Sequence, residues 1–440
     1  MVKSIRKRVN NSLQFIAITS LLLLTSACSV QKAQKTLLAS PSLKGAHVGI
    51  AVFNDTKQTW IDQYQSDHYF TPASNTKILA TYVGLKYLGD SLPGFRIAES
   101  TDTLFLTPLG DPSFLHPDFS YQPVVDLIKS TRKQIAISVV DQKDRFEPFG
   151  DGWAWNDYAE DYQPERSRMP IYGNVVHFYQ ANGKTEKRPT YFFKDLKIED
   201  SLQTKVFTRK RTTNTFYPTL KNNAAKYYQI PFITYQTPMS VLYLRDSIHT
   251  ALPVVFIKDA AEKASRILKT VPTDSLLKIM MRRSDNFFAD QVLLMASEQL
   301  LGKMDDAAFI DTVLKTDFAN LPQKMRWVDG SGLSRYNLNT PENYVAILKQ
   351  MQDQFGQARV TNIFETGGEG TLSAYFKNFP GELHAKTGSL GGQIALSGFI
   401  YTHQKQKLYF SVLVSNHMST SSAGVRRAVE AYLKKVVSKN

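Results

Sequence analysis

Cysteine is almost absent from this 440-residue chain, where Cys28 stands alone. Without a second thiol there is no intramolecular disulfide and no Cys-based zinc or iron–sulfur framework. The eight histidines show no ligand spacing, and no His-Glu-x-x-His, G-x-S-x-G or P-loop string occurs. No metal and no cofactor are therefore expected. Acid is scarce as well: 39 Asp and Glu face 53 Lys and Arg, for a formal charge of +14. Such a surface selects anionic partners, among them cell-wall polymer, phospholipid headgroups and nucleic acid. Long apolar runs are also lacking. The stretch Leu13 to Leu24 falls short of the about 20 residues that a membrane-crossing helix needs.

That short run carries an address. Lys3, Arg6, Lys7 and Arg8 precede it and Thr25-Ser26-Ala27-Cys28 follows, the order of an export signal. The segment resembles a bacterial lipoprotein signal, with Thr25 where that pattern usually has an aliphatic residue. The resemblance implies removal of residues 1–27, lipidation of Cys28 and a lipid anchor in the cell envelope. Polar residues 28–38 would then be a tether. The mature part keeps a charge of +10 once the four basic residues of the signal are removed, and its length suggests roughly two or three domains. Its composition, 42% hydrophobic and 12% aromatic, supports packed cores rather than disorder. Export argues against nucleic acid as a partner, so Arg209-Lys210-Arg211 reads as a solvated strand edge or a wall-facing patch.

Residues 45–53 alternate apolar and small side chains, Asn54-Asp55-Thr56-Lys57 reads as a turn, and 58–64 can return as a second strand. An amphipathic helix is expected from Ser74 to about Leu88, stopped by Gly89. Short β-like runs then dominate residues 96–236, at 103–107, 134–140 and 175–180, the last before an Asn182-Gly183 hairpin signal. Helical patterns return at 240–250, 275–282 and 287–301. Strands follow at 381–390, 393–401 and 408–415, then a helix at about 422–437. This order predicts an α+β fold, an antiparallel sheet with flanking helices formed by 39–95 and 237–440, interrupted by a β-rich insertion at 96–236.

Three strings carry chemistry. In Ser74-Asn75-Thr76-Lys77 the helix start favours developing negative charge, which suits Ser74 as a nucleophile. Lys77 shares its face and can take the serine proton if its amine is neutral. Bringing a lysine from about 10.4 down to 7 costs roughly 4 to 5 kcal/mol and demands burial and a second cation. Lys386 in His384-Ala385-Lys386-Thr387-Gly388-Ser389 offers one. Alternation puts Lys386 and Gly388 on one strand face, where a glycine lets a substrate backbone approach. His384 shares that face and reads as a plain strand residue. Ser284-Asp285-Asn286 lies between two helical patterns, with a hydroxyl and a carboxamide suited to proton relay and amide binding. Singly each string is commonplace, Ser-x-x-Lys being usually an N-cap with a solvated lysine. In this order the three resemble the serine penicillin-recognising enzymes.

Further strings narrow the resemblance. Pro108-Leu109-Gly110-Asp111-Pro112, Gly152-Trp153-Ala154-Trp155, the run from Val328 to Arg335 and Gly368-Glu369-Gly370-Thr371-Leu372 look like the class C low-molecular-mass penicillin-binding proteins. These are the D-alanyl-D-alanine carboxypeptidase/endopeptidase family. The 206 residues between Lys77 and Ser284 fit that family's insertion, whereas a single-domain β-lactamase has no such gap. One departure is that the glycine-rich stretch before Asp111 is reduced to Pro108-Leu109-Gly110. The resemblance implies a β-lactamase/transpeptidase-like fold, Ser74 as acyl-accepting nucleophile and Lys77 as general base. It implies Ser284 with Asn286 as proton relay and amide contact, and Lys386 as electrostatic support. Thr387 and Ser389, beside Gly388, would hold the substrate carboxylate, and the N–H groups of Ser74 and Ser389 would form the oxyanion hole. Asp285 would fix its loop, and residues 329–335 read as a structural turn at least as readily as a catalytic one. The implied activity is cleavage of the D-Ala-D-Ala end of peptidoglycan stem peptides, extending to D-Ala cross-links, with β-lactams as inhibitors. A β-lactamase is one rival, separated by its faster deacylation. A non-catalytic wall-binding lipoprotein is another, opposed by the intact Ser74, Lys77, Ser284, Asn286 and Lys386.

Overall fold

The computed structural model describes residues 29–138, 142–181, 184–188, 207–218, 226–234, 239–248, 254–257, 265–379 and 381–438. Cys28, the export segment and the Asn182-Gly183 pair lie outside them. Two compact units divide the chain: 1–75, 321–325 and 338–440 form one, and 76–320 with 326–337 form the other.

Six antiparallel strands build the first unit, in the order Glu365–Thr366, Glu382–Leu390, Gln393–Tyr401, Lys407–Ser415, His47–Asn54 and Thr59–Tyr64. Alternate residues serve two layers. Val48, Ile50 and Val52 join Ile394, Leu396, Val412 and Val414 in a core closed by Val425, Val429 and Leu433 of the helix Ser422–Val437. On the other face, a Cβ added to Gly49 would lie 2.4 Å from the Phe70 ring and 2.8 Å from Pro341, the first residue of the helix Pro341–Phe355. From the same side, Tyr409 Oη donates to Gln352 Oε1 of that helix at 2.9 Å. Covered on both faces, the central strands are almost continuously apolar, and each buried aliphatic side chain contributes about 1.5–3 kcal/mol.

Residues 29–38 are helical, and the expected tether is corrected. Val30, Ala33 and Leu37 recur at a helical period and sink into the core of the sheet, while Lys32 and Lys35 stay exposed. Gln34 Nε2 donates to Asp62 Oδ1 and Tyr432 Oη to Asp62 Oδ2, both at 2.6 Å, joining this helix to the edge strand and to Ser422–Val437. Polar composition hid three apolar residues with the right spacing to dock.

The second unit opens with the helix Lys77–Tyr87. Gly84 brings it close to Thr273–Arg283 and Asn286–Leu301, since a Cβ there would meet Leu277 at 3.0 Å and Val292 at 3.2 Å. A five-stranded mixed sheet follows the order Val254–Ile257, Gln134–Ser138, Thr103–Pro108, Ser91–Glu99, Arg266–Pro272. Its first three strands are parallel and the remaining pairs antiparallel. The helix Pro123–Ser130 makes the crossover between two parallel strands and buries Val124 and Ile128. A three-stranded sheet of Lys226–Pro231, Val175–Ala181 and Lys184–Arg188 and a two-stranded ribbon of Phe207–Arg209 and Phe216–Pro218 complete the β-rich part. Asp111 makes its turn without the missing glycines: Gly110 adopts φ 84° and Asp111 Oδ1 accepts from Ser113 N at 2.8 Å.

The β-rich region is wider than the expected 96–236. It starts at Ser91 and its sheet closes at Pro272, because Arg266–Pro272 pairs back onto Ser91–Glu99. The helix Met239–Ile248 belongs to it as well, with Tyr243 and Leu244 in one core with Phe178 and Phe232. Local pattern gave these strands and this helix no partner, and only the long-range pairing assigns them.

Candidate active site

The candidate residues fall into two sets along the division of the chain. In the second unit Lys77 is the first residue of its helix and is fully buried. A buried amine has to spend its N–H groups on acceptors. Nζ donates to Asn286 Oδ1 and to Ser331 O, each at 2.6 Å. Asn286 opens the helix Asn286–Leu301 two residues after Ser284, which ends the preceding helix in a left-handed conformation, φ 57°. A non-glycine residue there is strained, and the sharp reversal sets Ser284 and Asn286 at one helix junction. Asp285 caps the second helix, accepting from Phe288 N at 2.9 Å and from Arg283 Nη2 at 3.0 Å. It fixes the loop, as expected. Asn286 is held at both ends of its amide. Its Nδ2 donates to Tyr162 O at 2.8 Å while Oδ1 receives from Lys77, so both ends of the amide orient the amine.

The Ser331 carbonyl is aimed by the turn around Asp329. This fully buried carboxylate accepts from Gly332 N at 2.9 Å, Ser334 N at 2.8 Å, Asn337 Nδ2 at 2.7 Å and Trp153 Nε1 at 2.8 Å. Asp290 Oδ1 accepts from Gly330 N at 2.7 Å and Ser331 N at 3.3 Å. Burial, and then the charge of Asp329, push the Asp290 carboxyl up, with Arg166 opposing. A Cβ on Gly330 would lie 2.4 Å from Ala289 O, so no larger residue fits. The turn is structural, and what it presents to Lys77 is a backbone carbonyl, which leaves no side-chain signature in sequence.

In the first unit Ser74 occupies the 3₁₀ turn Ala73–Thr76, directly before the helix rather than inside it. Ala73 is fully buried at φ 48°, a strained conformation beside the candidate nucleophile. Asn75 staples this turn to the strand Glu382–Leu390. With its amide oriented by its neighbours, Nδ2 donates to Lys386 O at 2.7 Å and Oδ1 accepts from Ser397 Oγ at 2.6 Å. A Cβ on Gly388 would lie 2.7 Å from Pro72 O and 3.1 Å from Asn75 N. The glycine therefore makes room for the serine's own turn.

Lys386 is fully buried, with Nζ donating to Thr387 O at 2.9 Å. Burial pulls its amine down to about 8, Glu365 opposing and Arg426 assisting. Thr387 Oγ1 meets Thr371 Oγ1 at 2.5 Å, and Thr371 N donates to Glu365 Oε2 at 2.7 Å. Ser389 Oγ accepts from Arg426 Nη2 at 2.6 Å. Arg426, on Ser422–Val437, is a residue that sequence reasoning missed, as it gave Asn75 no role. Its one cue was a basic position on a helix already expected to pack on the sheet. His384 bonds Glu382 Oε1 at 2.6 Å and stacks on Phe399, a plain strand residue. Among the described residues no group of three His, Cys, Asp or Glu could hold a metal ion, and no helix is long and apolar enough to cross a membrane.

One set can thus offer a base held by two acceptors, and the other a serine on a strained turn with hydroxyls and Lys386 on the adjoining strand and Arg426 on the helix Ser422–Val437. A family model described as the D-Ala-D-Ala carboxypeptidase 3 (S13) family matches residues 30–219 and 248–436. The penicillin-sensitive carboxypeptidase A of Dictyostelium discoideum is 34% identical over 99 residues, 20% of this chain and 19% of that one. D-alanyl-D-alanine carboxypeptidase DacB of Haemophilus influenzae is 23% identical over 426 residues, covering 85% of this chain and 86% of its own. The crystal structure of penicillin binding protein 4 (dacB) from that organism superposes with a TM-score of 0.69 at 18% identity, over 92% of this chain and 97% of the other. Bd3459, a predatory peptidoglycan endopeptidase from Bdellovibrio bacteriovorus, gives a TM-score of 0.54 at 16% identity, over 90% and 93%. At such identities the two structures speak for a shared α+β fold.

Proposed function

The chain belongs to the D-Ala-D-Ala carboxypeptidase 3 (S13) family and is a hydrolase of that family, and from this premise we propose that it cleaves the D-Ala-D-Ala terminus of peptidoglycan stem peptides through an acyl-enzyme on Ser74. The observation that carries the reading is the buried amine of Lys77, held by Asn286 and Ser331 three residues along the chain from Ser74. In its neutral form that amine donates its two hydrogens to these acceptors and accepts the serine proton on its lone pair. Ser74 Oγ then bonds to the carbonyl carbon of the penultimate D-Ala, and the C–N bond breaks. The leaving amine takes a proton relayed through Ser284, and water later hydrolyses the ester. Backbone N–H groups of Ser74 and Ser389 stabilise the oxyanion.

Lys386, Thr387, Ser389 and, in addition to the expected residues, Arg426 receive the substrate's terminal carboxylate. A charge-assisted contact of roughly 1.5–3 kcal/mol makes the expected loss of kcat/KM in Arg426→Ala about ten-fold to a hundred-fold on D-Ala-D-Ala peptides. Amidated peptides should lose little, and equal losses on both would remove Arg426 from carboxylate binding. The same anion site serves a D-Ala cross-link whose D-centre bears a free carboxylate, which supports endopeptidase activity as a companion reaction. We place the mature protein in the cell envelope with lipid on Cys28, and assign residues 91–272 as a module accompanying the catalytic residues. β-Lactams act as inhibitors by acylating the same serine.

Labelled penicillin and defined muropeptides test the proposal together. Ser74→Ala should abolish both the adduct and the release of D-Ala without unfolding the protein. An adduct mapped to another residue would sink the assignment, and rapid turnover of penicillin would favour a β-lactamase.

A further inference from the structure

One aromatic cleft takes no part in this chemistry. It lies wholly within the second unit, has a volume of about 400 Å³, and is walled by Phe149, Trp153, Trp155 and Tyr158 with Arg209 and Arg211. Trp155 is 69% exposed, and an indole left in water inside a concavity is the mark of a contact surface. The Arg211 guanidinium sits 4.8 Å from its ring centroid. Arg209 is buried and spent on backbone carbonyls, Nε on Pro231 O at 2.8 Å and Nη1 on Lys210 O at 3.0 Å. This corrects the reading of the basic run as a solvated strand edge: its first arginine is an internal brace, and the exposed Arg211 lines the cleft. Trp153 forms another wall while its Nε1 bonds Asp329, whose turn presents Ser331 O to Lys77.

We propose that this cleft is a glycan subsite, which seats an acetamido-sugar ring of the peptidoglycan strand on Trp155 and receives its acetamido or hydroxyl oxygens at Arg211. The proposal rests on peptidoglycan as the substrate. A pyranose ring pairs an apolar C–H face with a hydrogen-bonding rim, matching an exposed indole beside a guanidinium whose N–H edges can donate. A stem-peptide carboxylate fits worse, since it would shed its water among four aromatic rings for a single exposed cation. The volume stands at the small end of ligand sites, suited to one substituted ring rather than a length of strand.

The experiment compares wild type with Trp155→Ala, Arg211→Ala and Trp155→Phe on a disaccharide-pentapeptide and on the same pentapeptide without sugar. Binding of chitotetraose, a tetramer of N-acetylglucosamine, is measured alongside by calorimetry. Both alanine variants should lose about ten-fold in kcat/KM on the sugar-bearing substrate, the equivalent of one contact of about 1.4 kcal/mol. They should stay within two-fold on the bare peptide and bind chitotetraose more weakly, while Trp155→Phe keeps most of both properties. Equal losses on the two substrates would give the cleft to the stem peptide, and losses on neither would place it off the substrate path. Either result overturns the proposal. A wild type that hydrolyses neither peptide but binds chitotetraose through Trp155 would sink the peptidase reading and leave this one standing.

Discussion

The amine of Lys386 has exchanged water for a protein interior, and that burial brings its proton within reach of ordinary buffers. With the amine pulled down to about 8, Lys386 is cationic in the folded protein below that pH and neutral above it. The unfolded chain keeps the proton until about 10.4. Between these values unfolding takes up a proton, so Lys386 adds stability as pH rises through the window, while the electrostatic support proposed for a substrate carboxylate is lost. Activity on carboxylate-bearing peptides should therefore fall on an alkaline limb with an apparent midpoint near 8, without loss of fold. The charged neighbours are Glu365, which opposes the shift, and Arg426, which assists it. Lys386→Arg should carry the limb to higher pH. A limb that stays in place in that variant belongs to another group.

Among the elements, the joint between the serine turn and the strand Glu382–Leu390 tolerates the least change. Gly388→Ala places a methyl against Pro72 O and Asn75 N, backbone atoms that cannot swing aside, so a cost of about 1–3 kcal/mol is expected. Penicillin labelling at Ser74 should fall much further than the melting temperature, and a variant labelled at the normal rate would show that the joint is slack. The helix at 29–38 gives a contrasting test. Leu37→Ala should cost about 2–5 kcal/mol in denaturant titrations, whereas in a tether it would cost nothing. These two elements also mark what sequence can convey. Strands 393–401 and 408–415 and the helix 422–437 were legible because period and length agreed, and Ser74, Lys77, Ser284, Asn286 and Lys386 stood out as candidates because their spacing is chemical. The helix at 29–38 was hidden by its polar composition. Arg266–Pro272 was hidden because its partner, Ser91–Glu99, is far away in the chain. Ser331 O and the Asn75 amide escaped because a carbonyl and a motif's filler residue announce nothing until the turn that aims them is known.

At the scale of the whole molecule, an interior pairing of the first sheet sets His47 opposite Ser415 and Asn54 opposite Leu408, joining the early part of the chain to the late part. The serine turn is held through Asn75 to Lys386 in the same sheet. A chain ending at residue 400 keeps all three strings proposed to be catalytic yet lacks Lys407–Ser415, and it should bind no labelled penicillin even if it remains soluble. Labelling of that fragment would show that the two-ended sheet is dispensable. Contacts of such sequence separation form late. A chain made at about 5–20 residues per second has Ser74 complete for tens of seconds before the strand that steadies it exists. Order of synthesis thus becomes part of the design: a copy severed or stalled before Glu382–Leu390 has the Ser74 turn but not the strand that holds it through Asn75.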